Sequence, residues 1–305
     1  MVTVNFFKGM KLRQREALQG YMFVFPWIVG FIVFTAGPLL FSLYAAFTNY
    51  DITSRMDFIG LANFQRLFAR DKLFSTAVYN TVYYVVLSVP LRTVCGVLLA
   101  VLLNQSAHFR RFFRTVYYMP SVLSGVAVYL LWMQLLSPSS GLINMLLEMV
   151  GIQGPAWLFD PRWTKPALIL MNLWGVGGTM LLYLANLQSV PRQLYEAAEI
   201  DGAGVVQRFF KITVPMITPV IFFNVVTGFI SAFQIFQEAY VMSTDKGGPL
   251  NSLLFYNLYL WKQAFEQFNM GYASAMAWLL FAAVMVITLL NLRLSKKWVY
   301  YEGGE

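Results

Sequence analysis

The chain is 305 residues long, 58% hydrophobic and only 12% charged, with a net charge of +8. A soluble domain carries about 25% charged residues, since a water-facing surface needs them for solvation; so low a share excludes an ordinary soluble domain and points to lipid as the outer solvent. One cysteine, Cys95, rules out a disulfide within the chain, and with one histidine, His108, it argues against a His/Cys metal site.

An apolar run of about 18 residues or more can cross a bilayer as a helix. Six runs qualify, so the expected fold is an all-α integral membrane bundle of about six transmembrane helices. The first is Tyr21 to Phe47, too long for a signal-peptide core and followed by no small-residue cleavage pattern. It contains Pro26 and Pro38, which a spanning helix tolerates or uses as its ends. The segment FQRLFARDKLF, Phe64 to Phe74, reads as a short interfacial helix.

The second run, Ser75 to Leu103, is broken only by Arg92, the one Lys or Arg inside a span. A charge at mid-membrane costs roughly 2.5–3.5 kcal/mol on insertion scales. Arg92 is therefore expected to face the bundle or to snorkel, with structural pairing favoured over substrate contact unless the substrate is anionic. Cys95 and His108 read as structural. The third run is Val116 to Leu136 and the fourth Ala167 to Leu187. Between them Ser137 to Lys165 is rich in Gly and Pro and reads as irregular. Span four offers Asn172, Trp174, Gly175, Gly177, Gly178 and Tyr183. Trp174 or Tyr183 has the aromatic face that stacks on a sugar ring, although packing is the commoner use, and the glycines suit close helix contact.

The loop SVPRQLYEAAEIDGAGVVQRFFKITVP, Ser189 to Pro215, carries the most information. Pro191 suits a helix start, and Leu194 to Glu199 are mostly good helix formers. Gly202 and Gly204 permit a sharp reversal. Val205 to Lys211 then reads as a second short helix, with Pro215 at its end or at the membrane boundary. The expected product is a helical elbow outside the bilayer. Ala197 and Ala198 let another surface approach closely, while Glu196, Glu199 and Asp201 offer charge to a basic partner. A merely solvated amphipathic loop fits these residues equally well.

The fifth run is Val220 to Met242. Its polar residues Asn224, Thr227, Ser231, Gln234 and Glu238 recur at spacings of three and four, which puts them on one helical stripe with Gln237 beside it. Unsatisfied polar groups cost several kcal/mol each in hydrocarbon, so the stripe faces a packed polar seam or a water-filled path. Glu238, near the outer end, reads as interfacial. The sixth run is Ala273 to Leu292. Six spans place both termini on one side. That side carries 13 Lys and Arg against eight opposite, with Arg92 uncounted, a bias that sets both termini in the cytoplasm and associates the basic residues with anionic lipid rather than nucleic acid.

The elbow resembles a known family. The pattern of EAA, three residues, Gly, nine residues, Ile, one residue and Leu-Pro marks the membrane subunits of binding-protein-dependent ABC importers. Glu196, Ala197, Ala198, Gly202, Ile212 and Pro215 fall in its register, with Val214 in place of the usual Leu. FIGLANFQRLF from Phe58, NTVYYVVLSVPL from Asn80, LLNQSAHFRRFFRTVYYMPSVLSGVA from Leu102, SPSSGLIN from Ser137 and GGPLNSLLFYNLYLWKQAFEQFNMGYASAMAW from Gly247 resemble its sugar branch. Asn251 and Ser252 stand where that branch often has Thr.

The resemblance implies a type I importer permease bundle. Its parts would be a cytoplasmic segment 1–20, a first transmembrane helix and outer loop 21–74, a core permease domain 75–292 with coupling loop 189–215, and a cytoplasmic tail 293–305. It also implies a multi-pass place in the bacterial inner membrane. The implied partners are a second homologous permease subunit, two ATPase subunits and an extracytoplasmic sugar-binding protein, with membrane lipid around them and no nucleic acid. Glu196, Ala197, Ala198, Asp201, Gly202, Ile212 and Pro215 would couple to the ATPase, whose closure swings the helices between inward-open and outward-open states. Asn224, Thr227, Ser231, Gln234, Trp174 and Tyr183 are the candidates for the substrate path.

The chain has no motor of its own: no GxxxxGK followed by Ser or Thr occurs in it. It is not expected to be an enzyme or to carry a cofactor, and ATP and Mg would belong to the partner ATPases. An oligosaccharide is the first-choice substrate, with glycerol phosphate or another small polar solute behind it. A secondary transporter would usually show an internal repeat. A membrane enzyme would need a His, Cys or acidic cluster, and a pure scaffold would leave the elbow without a role.

Overall fold

The computed structural model describes residues 11–53, 56–105, 110–243 and 247–300. His108 lies outside the described residues, as do Lys8, Arg55 and Lys246, three of the basic residues counted toward orientation. Among those described there is no strand, only an isolated bridge between Thr48 and Phe58.

The first span is α1 (Leu12–Phe31), a π-turn (Ile32–Ala36) and α2 (Gly37–Ala45), continuous over 34 residues. It begins at Leu12, ahead of the apolar run, because Leu12 to Leu18 are compatible with helix and nothing breaks it. Pro26 lies inside α1, and Pro38 sits in the first turn of α2. The span buries almost none of its own surface, and only its α2 half packs on the rest of the chain, against the last helix.

The segment read as one short helix, Phe64 to Phe74, is split: α3 (Ala62–Ala69) starts ahead of it and ends at Ala69, and Lys72 to Phe74 already belong to the next helix. α4 (Lys72–Gln105) is the second span and the spine of the bundle. At about 1.5 Å per residue its 34 residues run about 50 Å, longer than the roughly 30 Å hydrocarbon core. The third expected span is not one helix. α5 (Arg110–Val122) and α6 (Gly125–Leu135) meet at 102° across Leu123 and Ser124. Pro120 lies just ahead of the break, and Ser124 turns extended at ψ 132°. Both halves are apolar, so hydropathy cannot see the corner between them. The segment read as irregular contains α7 (Leu142–Met149), within which Asn144 accepts from the Trp157 indole at 2.7 Å and donates to the carbonyls of Pro138 and Pro155.

The fourth span bends by 46° between α8 (Thr164–Trp174) and α9 (Gly177–Ser189). A Cβ on Gly177 would lie 1.9 Å from the Tyr117 carbonyl oxygen, so the crossing of α5 over α9 requires a glycine there. After α10 (Arg192–Ile200), the chain reverses into α11 (Val205–Arg208), a π-turn (Phe209–Thr213) and α12 (Val214–Phe233). Val205 to Phe233 is one unbroken helix of 29 residues. Pro215 does not end it: the helix runs on through this residue, which stands just past the π-turn. The fifth span thus starts at the elbow and stops earlier than expected. The chain unwinds at Gln234 to Phe236, and α13 (Gln237–Met242) is a separate short helix. α14 (Tyr256–Trp261) and α15 (Met270–Ser295), the sixth span, complete the fold.

Two apolar clusters hold the bundle. One gathers Phe74 and Tyr84 of α4 with Leu168, Leu254, Phe255, Leu258 and Met276, at the end away from the elbow. The other gathers Val97, Ala100 and Leu103 of α4 with Met180, Tyr183, Leu184, Leu187 and Ile217, at the elbow end. With lipid as the outer solvent, these clusters are held by close van der Waals packing between the helices rather than by removal of apolar surface from water. Between the clusters, along Tyr84 to Thr93, the packing opens.

Candidate functional site

The elbow is built outward from its turn. Gly202 follows the end of α10 at φ +77°. Its amide donates to the Glu199 carbonyl at 3.1 Å, and the Ala203 amide donates to the Ala198 carbonyl at 2.8 Å. Those paired bonds close a helix through a left-handed residue. A Cβ on Gly202 would meet nothing within 4 Å, so glycine serves the backbone angle here and not a shortage of room.

Two side-chain bonds brace the turn. Glu199 pairs with Arg208 at 3.1 Å, and the Tyr195 and Thr213 hydroxyls lie 3.0 Å apart. Of the three acids offered by the sequence, Glu199 is therefore engaged within the chain. Tyr195, Phe209 and Ile212 pack inward on the elbow-end cluster. Glu196, Ala197, Asp201 and Gly202 are exposed, and Ala198 is half-buried. Beside them stand the exposed apolar residues Val205, Val206, Phe210 and Ile200, the last 87% exposed. Ile212 and Pro215 lie behind this surface as its support.

A cavity of about 680 Å³ occupies the gap between the two clusters. α4 supplies Tyr84, Ser88, Val89, Arg92 and Thr93, α6 supplies Tyr129, and α8 and α9 supply Asn172, Thr179 and Leu182. The opposite wall is Asn224, Thr227, Gly228 and Ser231 of α12, then Gln234, Gln237 and Glu238 past its end. The polar stripe is brought together, although not on one helix. Gln234 terminates α12 and Glu238 belongs to α13, yet the unwinding between them keeps both at the cavity.

The hydrogen bonds fix what the wall presents. Asn224 Nδ2 donates to the Val220 carbonyl at 2.8 Å, and the Thr227 hydroxyl donates to the Phe223 carbonyl at 2.8 Å. The Asn224 amide oxygen and the Thr227 lone pairs remain as acceptors. Arg92 finds a partner in Asn172, whose Oδ1 lies 3.5 Å from Nη1. Glu238 stands near the Tyr129 hydroxyl.

Trp174 and Tyr183 do not line the cavity. Tyr183 is fully buried against Gly96 and has no surface on which a sugar could stack. Trp174 meets Trp132 edge-on at 6.0 Å. Ser88, Thr93, Thr179 and Tyr129 were not singled out from the sequence. Part of that signal was there: Tyr84, Ser88 and Arg92 recur every four residues on α4.

At the far end Asp71 accepts from the hydroxyls of Tyr259 at 2.6 Å and Tyr272 at 2.5 Å and from the Phe74 amide at 3.0 Å. Burial pushes this carboxyl up, but those bonds outweigh it and hold Asp71 below the ordinary carboxylate value. The same burial, with Asp71 beside it, raises the Tyr259 phenol. Arg66 lies 4.5 Å over the Tyr272 ring. The clasp ties the start of α4 to α14 and α15. Among the described residues no group of three His, Cys, Asp or Glu is placed to hold a metal ion.

The family model for the binding-protein-dependent transport system inner membrane component matches residues 92–299, the stretch that contains both cavity and elbow. The chain belongs to this family. A probable ABC transporter permease protein of Bacillus subtilis, YesP, is 44% identical to this permease over 96% of its chain and 95% of the relative. The lactose transport system permease protein LacF of Rhizobium radiobacter is 35% identical over 92% and 95%. A chain of a bacterial alginate ABC transporter, crystallised with a periplasmic protein bound to alginate pentasaccharide, superposes with a TM-score of 0.81 at 26% identity, over 93% of this permease and 96% of that chain. The bundle is thus that of an ABC importer permease, a multi-pass protein of the inner membrane. As a permease subunit it is a transport component and not an enzyme.

Proposed function

We propose that this permease forms half of the translocation path of an ATP-driven oligosaccharide importer, with both termini in the cytoplasm. Its elbow docks a separate ATPase that binds ATP and Mg, and no cofactor sits on this chain. A second homologous permease completes the pore, an extracytoplasmic binding protein delivers the sugar, and membrane lipid surrounds the assembly. Relatives named for lactose, arabinooligosaccharides and trehalose or maltose support the sugar class.

One observation carries the reading. The helix that begins at the elbow, Val205, runs unbroken to Phe233 and carries Asn224, Thr227 and Ser231 in the cavity wall. Movement of the docked elbow therefore displaces the lining itself, as coupling requires. Exposed Glu196, Ala197, Asp201 and Gly202, with half-buried Ala198 among them, form the docking side, with Ile212 and Pro215 behind them. Asn224, Thr227, Ser231 and Gln234 supply acceptors and donors for sugar hydroxyls. Trp174 and Tyr183 have no part in the path, because neither reaches the cavity.

The test is uptake by the assembled importer carrying Asn224→Leu together with Gln234→Leu. Uptake is expected to fall at least tenfold while the ATPase still co-purifies. Unchanged uptake with unchanged sugar occupancy would remove the cavity from the path. Gly202→Pro should abolish co-purification of the ATPase, and retention of the ATPase would remove the elbow from docking.

A further inference from the structure

Two formally charged side chains line the cavity, Arg92 and Glu238, and they differ in how they are satisfied. Glu238 stands near the Tyr129 hydroxyl, and its carboxylate lone pairs suit the hydroxyl donors of a sugar. Among the described residues Arg92 reaches only Asn172, at 3.5 Å and so at the outer limit of hydrogen bonding. Its Nε is buried with no hydrogen-bond partner. A guanidinium holds five donors in a planar fork, and a buried polar atom without a partner calls for an explanation. No salt bridge joins Arg92 to Glu238 among the described residues, so the cation is not neutralised within the chain.

We infer that the cavity takes a sugar bearing a single carboxylate, a uronic acid unit within an oligosaccharide, and that Arg92 is the residue that selects it. This rests on the reading of the cavity as the path. The planar fork matches two coplanar carboxylate oxygens, and the pairing is bidentate and charge-assisted. A sugar hydroxyl offers no such pair. The neighbouring walls, Ser88, Thr93, Asn224, Thr227 and Gln234, are neutral and suit the hydroxyls of the same ligand. One cation with a carboxylate nearby fits a monoanion better than a doubly charged phosphate ester. Glu238 marks the end at which the hydroxyl-rich, uncharged part of the ligand lies.

The alternative is that Arg92 is only a strut between α4 and α8 through Asn172. Equilibrium binding to the purified, assembled importer in lipid nanodiscs, without its binding protein, separates the two. The ligands are digalacturonic acid, its dimethyl ester and neutral galactobiose. The acid is expected to bind at least tenfold more tightly than the ester. Arg92→Gln should bring the acid down to the level of the ester while leaving the ester within twofold, and Arg92→Lys should keep part of the preference. Equal binding of acid and ester by the unaltered importer overturns the proposal, as does an Arg92→Gln effect that weakens both alike, or binding of none of the three. If the acid has no advantage but galactobiose binding is lost on Asn224→Leu, the path stands and the acidic class fails. If Asn224→Leu changes no affinity, the path reading itself fails.

Discussion

Replacing Gly202 by Ala isolates what the elbow turn contributes. The residue sits at φ +77°, and an added methyl meets nothing within 4 Å. The whole cost is therefore backbone strain, about 1–2 kcal/mol for a non-glycine residue held in the left-handed region. Part of the population escapes that strain by unwinding the end of α10, which breaks the bonds from Gly202 and Ala203 to the Glu199 and Ala198 carbonyls. A free-energy cost of this size is a factor of about five to thirty in population. Apparent affinity scales with the competent fraction, so the ATPase should bind about five- to thirtyfold more weakly. Gly204→Ala is the matched control, because Gly204 also has open space around it but lies at φ −70°. Binding of the purified ATPase to the permease pair in nanodiscs, read by surface plasmon resonance, measures both. Equal affinities for the two variants would refute the argument from the turn.

Tyr195→Phe keeps the ring in its apolar cluster and removes the 3.0 Å bond to Thr213, a loss of about 0.5–1.5 kcal/mol; sugar imported per ATP hydrolysed should fall, and an unchanged ratio would show that the brace serves stability alone. Gly177→Ala drives a methyl against the backbone of Tyr117, and overpacking of this kind costs about 1–3 kcal/mol; the thermal midpoint of the complex should drop, whereas Gly178→Ala, with only a 3.9 Å contact, should leave it in place. Asp71 has a folded value below its ordinary 3.8. Its contribution to stability is therefore complete above pH 3.8 and is lost as pH falls through the lower folded value. Asp71→Asn should melt earlier than the unaltered protein at pH 7, and the gap should shrink on acidification; a gap independent of pH would show that the Asp71 charge is not what the tyrosines hold.

Much of this architecture is legible in the residues because lipid makes their pattern unambiguous. Long apolar runs locate the four continuous spans and the two bent helix pairs, and the stripe at Asn224, Thr227 and Ser231 is visible because polar groups in such a run must face something other than lipid. The corner at Ser124 is not legible, because a helix that turns through 102° has the same hydropathy as one that continues. The unwinding at Gln234 to Phe236 escapes for the same reason, with no Gly or Pro to announce it. Pro215 misleads in the other direction: it reads as a helix end, yet the helix runs on through it just past the π-turn. Tyr183 shows the limit of residue type as a guide, since its phenol is fully buried while Ser88 and Thr93, which drew no notice, line the cavity. The clasp on Asp71 joins residues roughly 190 to 200 positions apart, a distance that no local pattern spans.

The 29-residue rod from Val205 to Phe233 is gripped part-way along, at Ile217, which is fully enclosed among Leu184, Leu187 and Val97. At about 1.5 Å per residue, Ile217 stands about 18 Å from Val205 and about 10 to 20 Å from Asn224 and Ser231. With that point as fulcrum the rod is a see-saw. A stroke at Val205 returns as an opposite arc along the lining, from about half its size at Asn224 to about its full size or slightly more at Ser231. Inward pressure on one end would thus widen the gap at the middle, with no need for the rod to bend.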